Sequence, residues 1–501
     1  MRRSSKLLLI FVLVLRLASA AGIDPARYLE NIKVLSSDQM KGRAAGRPEL
    51  DAAARYIAGE FRAIGLEPVS VGGFLQPFPI TAAASLGDQN RLEYTDGRTT
   101  ASLTFNEEFR PLSLSASGKV AGQVVFAGYG ISAREYGYDD YAGLDVKNKL
   151  VIILRHEPQE AEPASIFSGR VYTNHAQFES KALNAKHHGA LAVLFVADKP
   201  SHPSETTALA DFSGLPGPAN HGIPFVEVKS EVADRWLRLA GHSLEEVVQA
   251  IDRNLRPRSF ALPGTFRVEL STDVRQESLL VNNVAGYLRG ESDEYLIIGA
   301  HYDHVGLGEQ FSMAASGKGS IHPGADDNAS GVSGVIELAR WFAGRPKPRR
   351  GILFLTFAAE EIGLLGSNHY AENPVLPLGK AIAMINMDMI GRMRSEEVFV
   401  GGVNTGAGFR KLIDGLNKQT GLKLESSDNG GYGSSDQFCF MPKEIPVLFF
   451  FTGLHVDYHT PSDTWDKIDA GSATRLVGFI GSVAERLIEA RARPRFVRQS
   501  R

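Results

Sequence analysis

Four uninterrupted apolar runs dominate the second half of the chain: YLIIGAH from residue 295, GILFLTFAA from 351, KAIAMINMD from 380 and IPVLFFFTG from 445. Each is about as long as a strand and too short for a helix, and none alternates with polar residues. That pattern predicts strands buried on both faces. Periodic stretches at 331–342, 408–418 and 473–490 predict helices between and after them. The expected architecture is therefore α/β, a mixed, mostly parallel twisted sheet with helices on both faces. SLLVNNVAGYLR, from residue 278, reads as one more strand of this unit.

The first half is patterned differently. In DPARYLENIKVLSS, Tyr28, Leu29, Ile32 and Leu35 fall near helical spacing, with Asp24 as N-cap and Pro25 at the first helical position. A second helix is predicted over 50–64, ending at Gly65, with MKGRAAGRP as the loop between the two. From 74 to about 117 the runs are short and alternating, and Asp96-Gly97 predicts a hairpin turn. From about 119 to 262, GQVVFAGYGI, KLVIILRHE, LAVLFVA and IPFVEV read as strands, with helical stretches between them and Pro and Gly at the edges. We expect a small inserted domain there. The predicted organisation is a targeting segment at 1–20, the first part of the main domain at 21–118, the insert at 119–262, the rest of the main domain at 263–490, and a basic, disordered tail at 491–501.

Composition narrows the functional classes. With 43% hydrophobic residues in 501, the chain has ample core material. A formal net charge of −3 gives no support for nucleic acid as a partner. Residues 1–20 carry a basic start (Arg2, Arg3, Lys6), an apolar stretch at 7–15 and an Ala18-Ser19-Ala20 cleavage pattern. The expectation is export to the periplasm or the extracellular space after cleavage near Ala20. No run predicts a membrane span. Cys439, the single cysteine, excludes an internal disulfide and a thiolate metal site. Between Phe438 and Phe440 it reads as a buried, inert thiol.

The chemistry lies where the apolar runs stop. One ends at His301, one at Glu360-Glu361, one at Asp388, and the last leads into LHVDYHTPSDT with His455, Asp457 and His459. A loop after the first run holds Asp326, Asp327 and Asn328. In a doubly wound sheet the carboxyl ends of parallel strands share one edge, so these groups are expected to converge. Two histidines and three carboxylates suit two divalent ions better than one, with a carboxylate bridging them. Such a pair activates water and polarises a carbonyl, and the glutamate left over is placed to act as general base.

The motifs AHYDHVG, PGADDNASG, FAAEEIGLLGS, INMDMIG and DYHTPSDT, in this order, resemble the zinc aminopeptidases of peptidase family M28. The resemblance covers roughly 22–118 and 265–490. It implies a zinc-peptidase-like fold and two zinc ions per chain. His301 and Asp388 would hold one ion, Glu361 and His459 the other, with Asp327 as bridge. Glu360 would be the base that takes a proton from a water bridging the zincs, and Asp303 the carboxylate that orients His301. Tyr432 in GGYGSSD matches the tyrosine that helps stabilise the tetrahedral oxyanion. The family tends to hold the peptide after the bridging aspartate in cis. This chain departs from the pattern in lacking the disulfide that flanks that tyrosine in some members, and in having Ser435-Asp436-Gln437 where His often follows Ser-Asp.

FAGYGISAREYGYDDYAGLDVKNKLVIILRHEP, KALNAKHHGALAVLFVA and IPFVEV resemble a protease-associated (PA) domain, which in related enzymes lies over the site and narrows access. The implied activity is an exported metalloaminopeptidase acting on peptides or small proteins with a free N-terminus. A carboxypeptidase, a dipeptidase or a glutaminyl cyclase on the same scaffold is the alternative. Nothing in the sequence sets an oligomeric state or the preferred N-terminal residue.

Overall fold

The structure is a computed structural model and describes residues 22–497, apart from 134–135, 161, 163–164, 168–172, 198–207, 210–211, 213, 215, 310, 315–316 and 427–434. The expected targeting segment therefore lies outside the described residues, and so does Tyr432. Among the described residues no helix is long and apolar enough to cross a membrane.

The four apolar runs become four adjacent strands. Gly351–Phe357, Tyr295–His301, Ala381–Met387 and Val447–Phe451 lie side by side in that order, all parallel. Every residue in them is buried, which is why their sequences do not alternate. Antiparallel strands extend the sheet on both sides. Val274–Leu288 joins Gly351–Phe357 and also pairs along Leu75–Leu86, while Glu397–Gly401 joins Val447–Phe451. The helices Pro25–Leu35, Pro48–Ile64, Gly331–Ala343 and Ala470–Glu489 supply the largest apolar core of the molecule. A smaller core packs Tyr370, Phe440 and Met441 against Ile297, Leu353 and Leu355. Alternate side chains of one buried strand enter the two cores: Ile298 goes to the first and Ile297 to the second.

A second sheet is built around the parallel strands Gly118–Ala127, Leu150–Leu154, Ala192–Val196 and Phe225–Val228. It also takes in strands from outside the expected 119–262 span. Arg91–Thr95 and Thr100–Ser102 form the predicted hairpin, which pairs through Arg267–Thr272 with Gly118–Ala127, while Phe109–Pro111 closes the far edge. The alternation of these short strands is compatible with either sheet, and the pairing is settled by partners far away in sequence.

The basic tail expected to be disordered is held to the body of the protein as far as residue 497. Arg493 donates to the carbonyl oxygens of Gly379 and Ala381, at 3.1 and 3.0 Å. Val497 N–H donates to Thr405 O, and Ala407 N–H to Arg495 O.

Candidate metal centre

Because the four central strands are parallel, their carboxyl ends open on one edge. Tyr295–His301 ends on His301. After Phe357 the chain turns through Ala358 and Ala359, whose φ of 60° is left-handed, to present Glu360 and Glu361. Asp388 follows Met387 directly. His459, with a φ of 52°, sits in the loop beyond Val447–Phe451. Asp327 enters from the turn Ala325–Ser330 that precedes the helix Gly331–Ala343, and the Asp327–Asn328 peptide is cis.

These groups meet. His301 Nε2 lies 3.4 Å from Asp327 Oδ1 and 3.4 Å from Asp388 Oδ1. His459 Nε2 lies 3.2 Å from Asp327 Oδ2 and 2.9 Å from Glu361 Oε2. Asp327 therefore gives one oxygen to each His–carboxylate pair. Glu360 stands beside the first pair, its Oε2 3.9 Å from His301 Nε2. His304, which reads from sequence as a loop residue or a support for the ligands, is part of the second group: its Nδ1 is 2.8 Å from Glu361 Oε1 and 3.7 Å from Asp327 Oδ2.

The neighbours that hold these residues are mostly backbone amides. The Asp303 carboxylate, expected to orient His301, stands 3.9 Å from His301 Nδ1, beyond hydrogen-bond reach. His301 Nδ1 is 3.2 Å from the Asp303 main-chain oxygen, whereas the carboxylate accepts from the N–H groups of Glu360 and Glu361 at 3.0 and 3.2 Å. Asp303 thus fixes the strand end that carries both glutamates. Asp463 accepts from the N–H groups of Asp326 and Asp327, bracing the bridge residue's backbone. Asp326 accepts from Gly391 N–H at 2.7 Å, and its other oxygen is 3.2 Å from His455 Nε2. Ser435 donates to Asp388 Oδ2 at 2.8 Å.

Arg43 is the residue that sequence reading missed most completely. Fully buried, it donates to the carbonyl oxygens of Tyr302, Leu35, Pro323 and Gly324 at 2.8, 2.6, 2.7 and 3.0 Å. It places a cation behind a cluster of acids. Burial pulls its guanidinium down to about 10, against the opposing pull of Asp327, Asp303, Asp463 and Glu361.

Electrostatics separate the two consecutive glutamates. Burial raises the Glu360 carboxyl well above its ordinary value; His301 opposes this, and Glu361 and Asp436 reinforce it. Glu361 is buried too, yet His459 and His304 hold it well below its ordinary value. Neighbouring carboxyls driven apart in this way are suited to different tasks, one to proton transfer and one to holding a cation.

Residues 283–483 match the model of Peptidase family M28, and residues 117–236 match the PA domain. Residues 283–483 thus form a domain of the Peptidase family M28 type. Among curated relatives, the Aminopeptidase YwaD of Bacillus subtilis is 24% identical over 374 residues, which is 72% of this chain and 68% of the relative. A "Probable zinc metalloprotease" of Pyrenophora teres f. teres is 39% identical over 119 residues, 23% of this chain and 24% of the relative. This chain thus matches only about a quarter of that relative's length. An aminopeptidase structure from Aneurinibacillus sp. strain AM-1 aligns with a TM-score of 0.49 at 22% identity, covering 95% of this chain and 96% of that one.

A cavity of about 720 Å³ joins the M28 centre to the PA side. Glu360, Glu361 and His459 line it together with Arg155 and Phe178 of the PA-matching stretch and with Arg110, which precedes that stretch. The two parts also touch through backbone, with Thr81 N–H donating to Gly217 O at 3.0 Å.

Proposed function

We propose that this protein is a zinc-dependent aminopeptidase with two metal ions per chain, held by His301 and Asp388 on one side, His459 and Glu361 on the other, and Asp327 between them. The observation that carries this reading is the spacing of donor atoms around Asp327. Two ligand atoms each about 2.0–2.1 Å from one tetrahedral zinc lie roughly 3.3–3.4 Å apart. The separations of 3.4, 3.4 and 3.2 Å in the two groups fall on or near that value, and the 2.9 Å one lies below it. The donor set fits as well. His459 Nε2 and Asp388 Oδ1 are buried, are assigned no hydrogen bond, and face only other donor atoms of the cluster, as atoms that share a cation would.

Bound there, zinc supplies Lewis acidity that lowers the pKa of water and polarises the scissile carbonyl. The chain's own residues do the rest. Glu360 takes the proton from the attacking water and hands it to the leaving amine. Asp303 keeps Glu360 in place through its backbone. Tyr432, outside the described residues, is proposed to stabilise the oxyanion. The PA part contributes Arg155 and Phe178 to the cavity, and we infer that it limits the size of the substrate admitted. We also infer export after cleavage near Ala20, which N-terminal sequencing of the mature protein checks.

Arg110 and Arg155 in the cavity are cations of the kind a carboxypeptidase would need for a substrate carboxylate, so the direction of attack must be tested. One peptide is assayed with a free amine, with an N-acetyl group and with a C-terminal amide. Aminopeptidase action predicts release of the N-terminal residue from the free and amidated peptides and none from the acetylated one, with loss of activity on chelation and recovery with zinc. Release of the C-terminal residue from the acetylated peptide would overturn the reading.

A further inference from the structure

His459 is not carried by a strand or a helix, and its left-handed backbone is uncommon for a residue with a side chain. What holds it is the long loop between Tyr295–His301 and Ala325–Ser330. The carbonyl oxygen of Phe311 is 2.9 Å from His459 Nδ1, and Met313 N–H donates to His459 O at 2.8 Å. The residue between these two contacts, Ser312, turns the other way. Its hydroxyl lies 2.8 Å from Nε2 of His322.

His322 is fully buried at the centre of this loop. Its N–H donates to Gly306 O at 2.9 Å, and its Nδ1 is 2.9 Å from Ser320 O. A carbonyl oxygen only accepts, so Nδ1 carries the proton and Nε2 is left as an acceptor for the Ser312 hydroxyl. The packing leaves no slack around the ring. A Cβ at Gly308 would fall 2.4 Å from His322 Cε1, and one at Gly317 would fall 2.5 Å from Ser312 Oγ.

We propose that His322 is a positioning residue for the His459 half of the metal centre. Acting through Ser312, it sets the Phe311–Met313 segment so that the Phe311 carbonyl keeps the proton on His459 Nδ1. His459 Nε2 is then directed, as a lone-pair donor, at the Asp327 and Glu361 oxygens. A ligating histidine needs its other nitrogen held in this way, which fixes the tautomer and the ring plane. Here the partner is a loop carbonyl, and the loop owes its shape to a buried imidazole that touches no metal ligand. The inference rests on His459 being a ligand.

The test is zinc affinity, measured on the full chain by competition with a chromophoric chelator, with cobalt spectra of the two binding events alongside. Ser312→Ala removes one hydroxyl and leaves every backbone contact to His459. It is expected to weaken the weaker-bound or His459-side ion about ten- to a hundred-fold, to change the cobalt spectrum of that ion alone, and to leave the other ion as in the wild type. His322→Ala should do the same, and the double variant should lose no more than Ser312→Ala alone, because His322 acts only through the Ser312 hydroxyl, which also accepts from Ala314 N–H at 3.3 Å. Wild-type affinity for both ions in Ser312→Ala, equal weakening of both ions, or losses that multiply in the double variant would overturn the proposal. His459→Ala separates the two layers of the argument. If it binds both ions as the wild type does, the ligand assignment itself is wrong; if it loses one ion while Ser312→Ala loses none, only the positioning role fails.

Discussion

Replacing Arg43 by methionine keeps much of the side-chain volume and removes the guanidinium. Four carbonyl oxygens, from Leu35, Tyr302, Pro323 and Gly324, then lose a charged donor inside a buried site. Hydrogen bonds to charged groups contribute about 1.5–3 kcal/mol each, so the gross loss is roughly 6–12 kcal/mol. Removing the cation also removes its desolvation cost of several kcal/mol, which leaves a net destabilisation of about 3–6 kcal/mol. A domain's whole stability is about 5–15 kcal/mol, so the variant should be strongly destabilised or unfolded. Urea unfolding of the metal-free protein measures this directly. Arg43→Lys provides a graded comparison: it retains the charge, but an ammonium does not span four carbonyls arranged around a planar fork, so an intermediate loss is expected. Pro323 and Gly324 lie just ahead of Asp327, so zinc binding should weaken in whatever fraction of the variant folds. A loss below about 1 kcal/mol in Arg43→Met, with zinc affinity unchanged, would refute the reasoning.

Two further outcomes follow from the site and from the PA part. Glu360→Gln should lower kcat by about 10²–10⁴-fold while zinc content stays at the wild-type level, as read by steady-state kinetics and metal analysis on one preparation; near-normal turnover would remove Glu360 as the base. Burial raises the Asp140 carboxyl from 3.8 to about 7, despite hydrogen bonds from Tyr138, Ile131 and Tyr129. Between those values the native state holds a proton that the unfolded chain has released, so this residue's contribution to stability is present at low pH and is lost as pH rises from about 4 to 7. Asp140→Asn should therefore flatten that part of the pH dependence relative to the wild type in thermal unfolding, and an identical slope in the two proteins would contradict the assignment.

How much of this was legible in the sequence depends on whether the information was local. The runs at 295–301, 351–357, 381–387 and 447–451 are apolar on both faces, and that alone marks buried parallel strands. Parallelism then brings their ends together, which is why His301, Glu360, Glu361 and Asp388 could be read as neighbours. What the pattern did not carry was pairing at long range. The hairpin at 91–102 was visible as a hairpin, but its attachment to Arg267–Thr272 in the second sheet was not. Arg43 sits in a glycine-containing loop where an arginine is ordinarily solvated, and its burial appears only when the end of the helix Pro25–Leu35 and the two ends of the 302–324 loop close over it. His304 and His322 were single histidines with nothing in their spacing to set them apart. Asp303 was read as an orienting carboxylate, but two backbone amides from another strand end claim its oxygens instead. For the hairpin, His304 and Asp303, and for most partners of Arg43, the deciding residue lies dozens to hundreds of positions away.

The central claim is that Asp327 lies between two complete metal half-sites. The most direct measurement is the number of zinc ions bound per chain when metal-free protein is titrated to saturation. The account predicts two in the wild type, falling to one in Asp388→Ala and to one in His459→Ala. A wild type that saturates at one ion, or a stoichiometry that neither substitution changes, would contradict it.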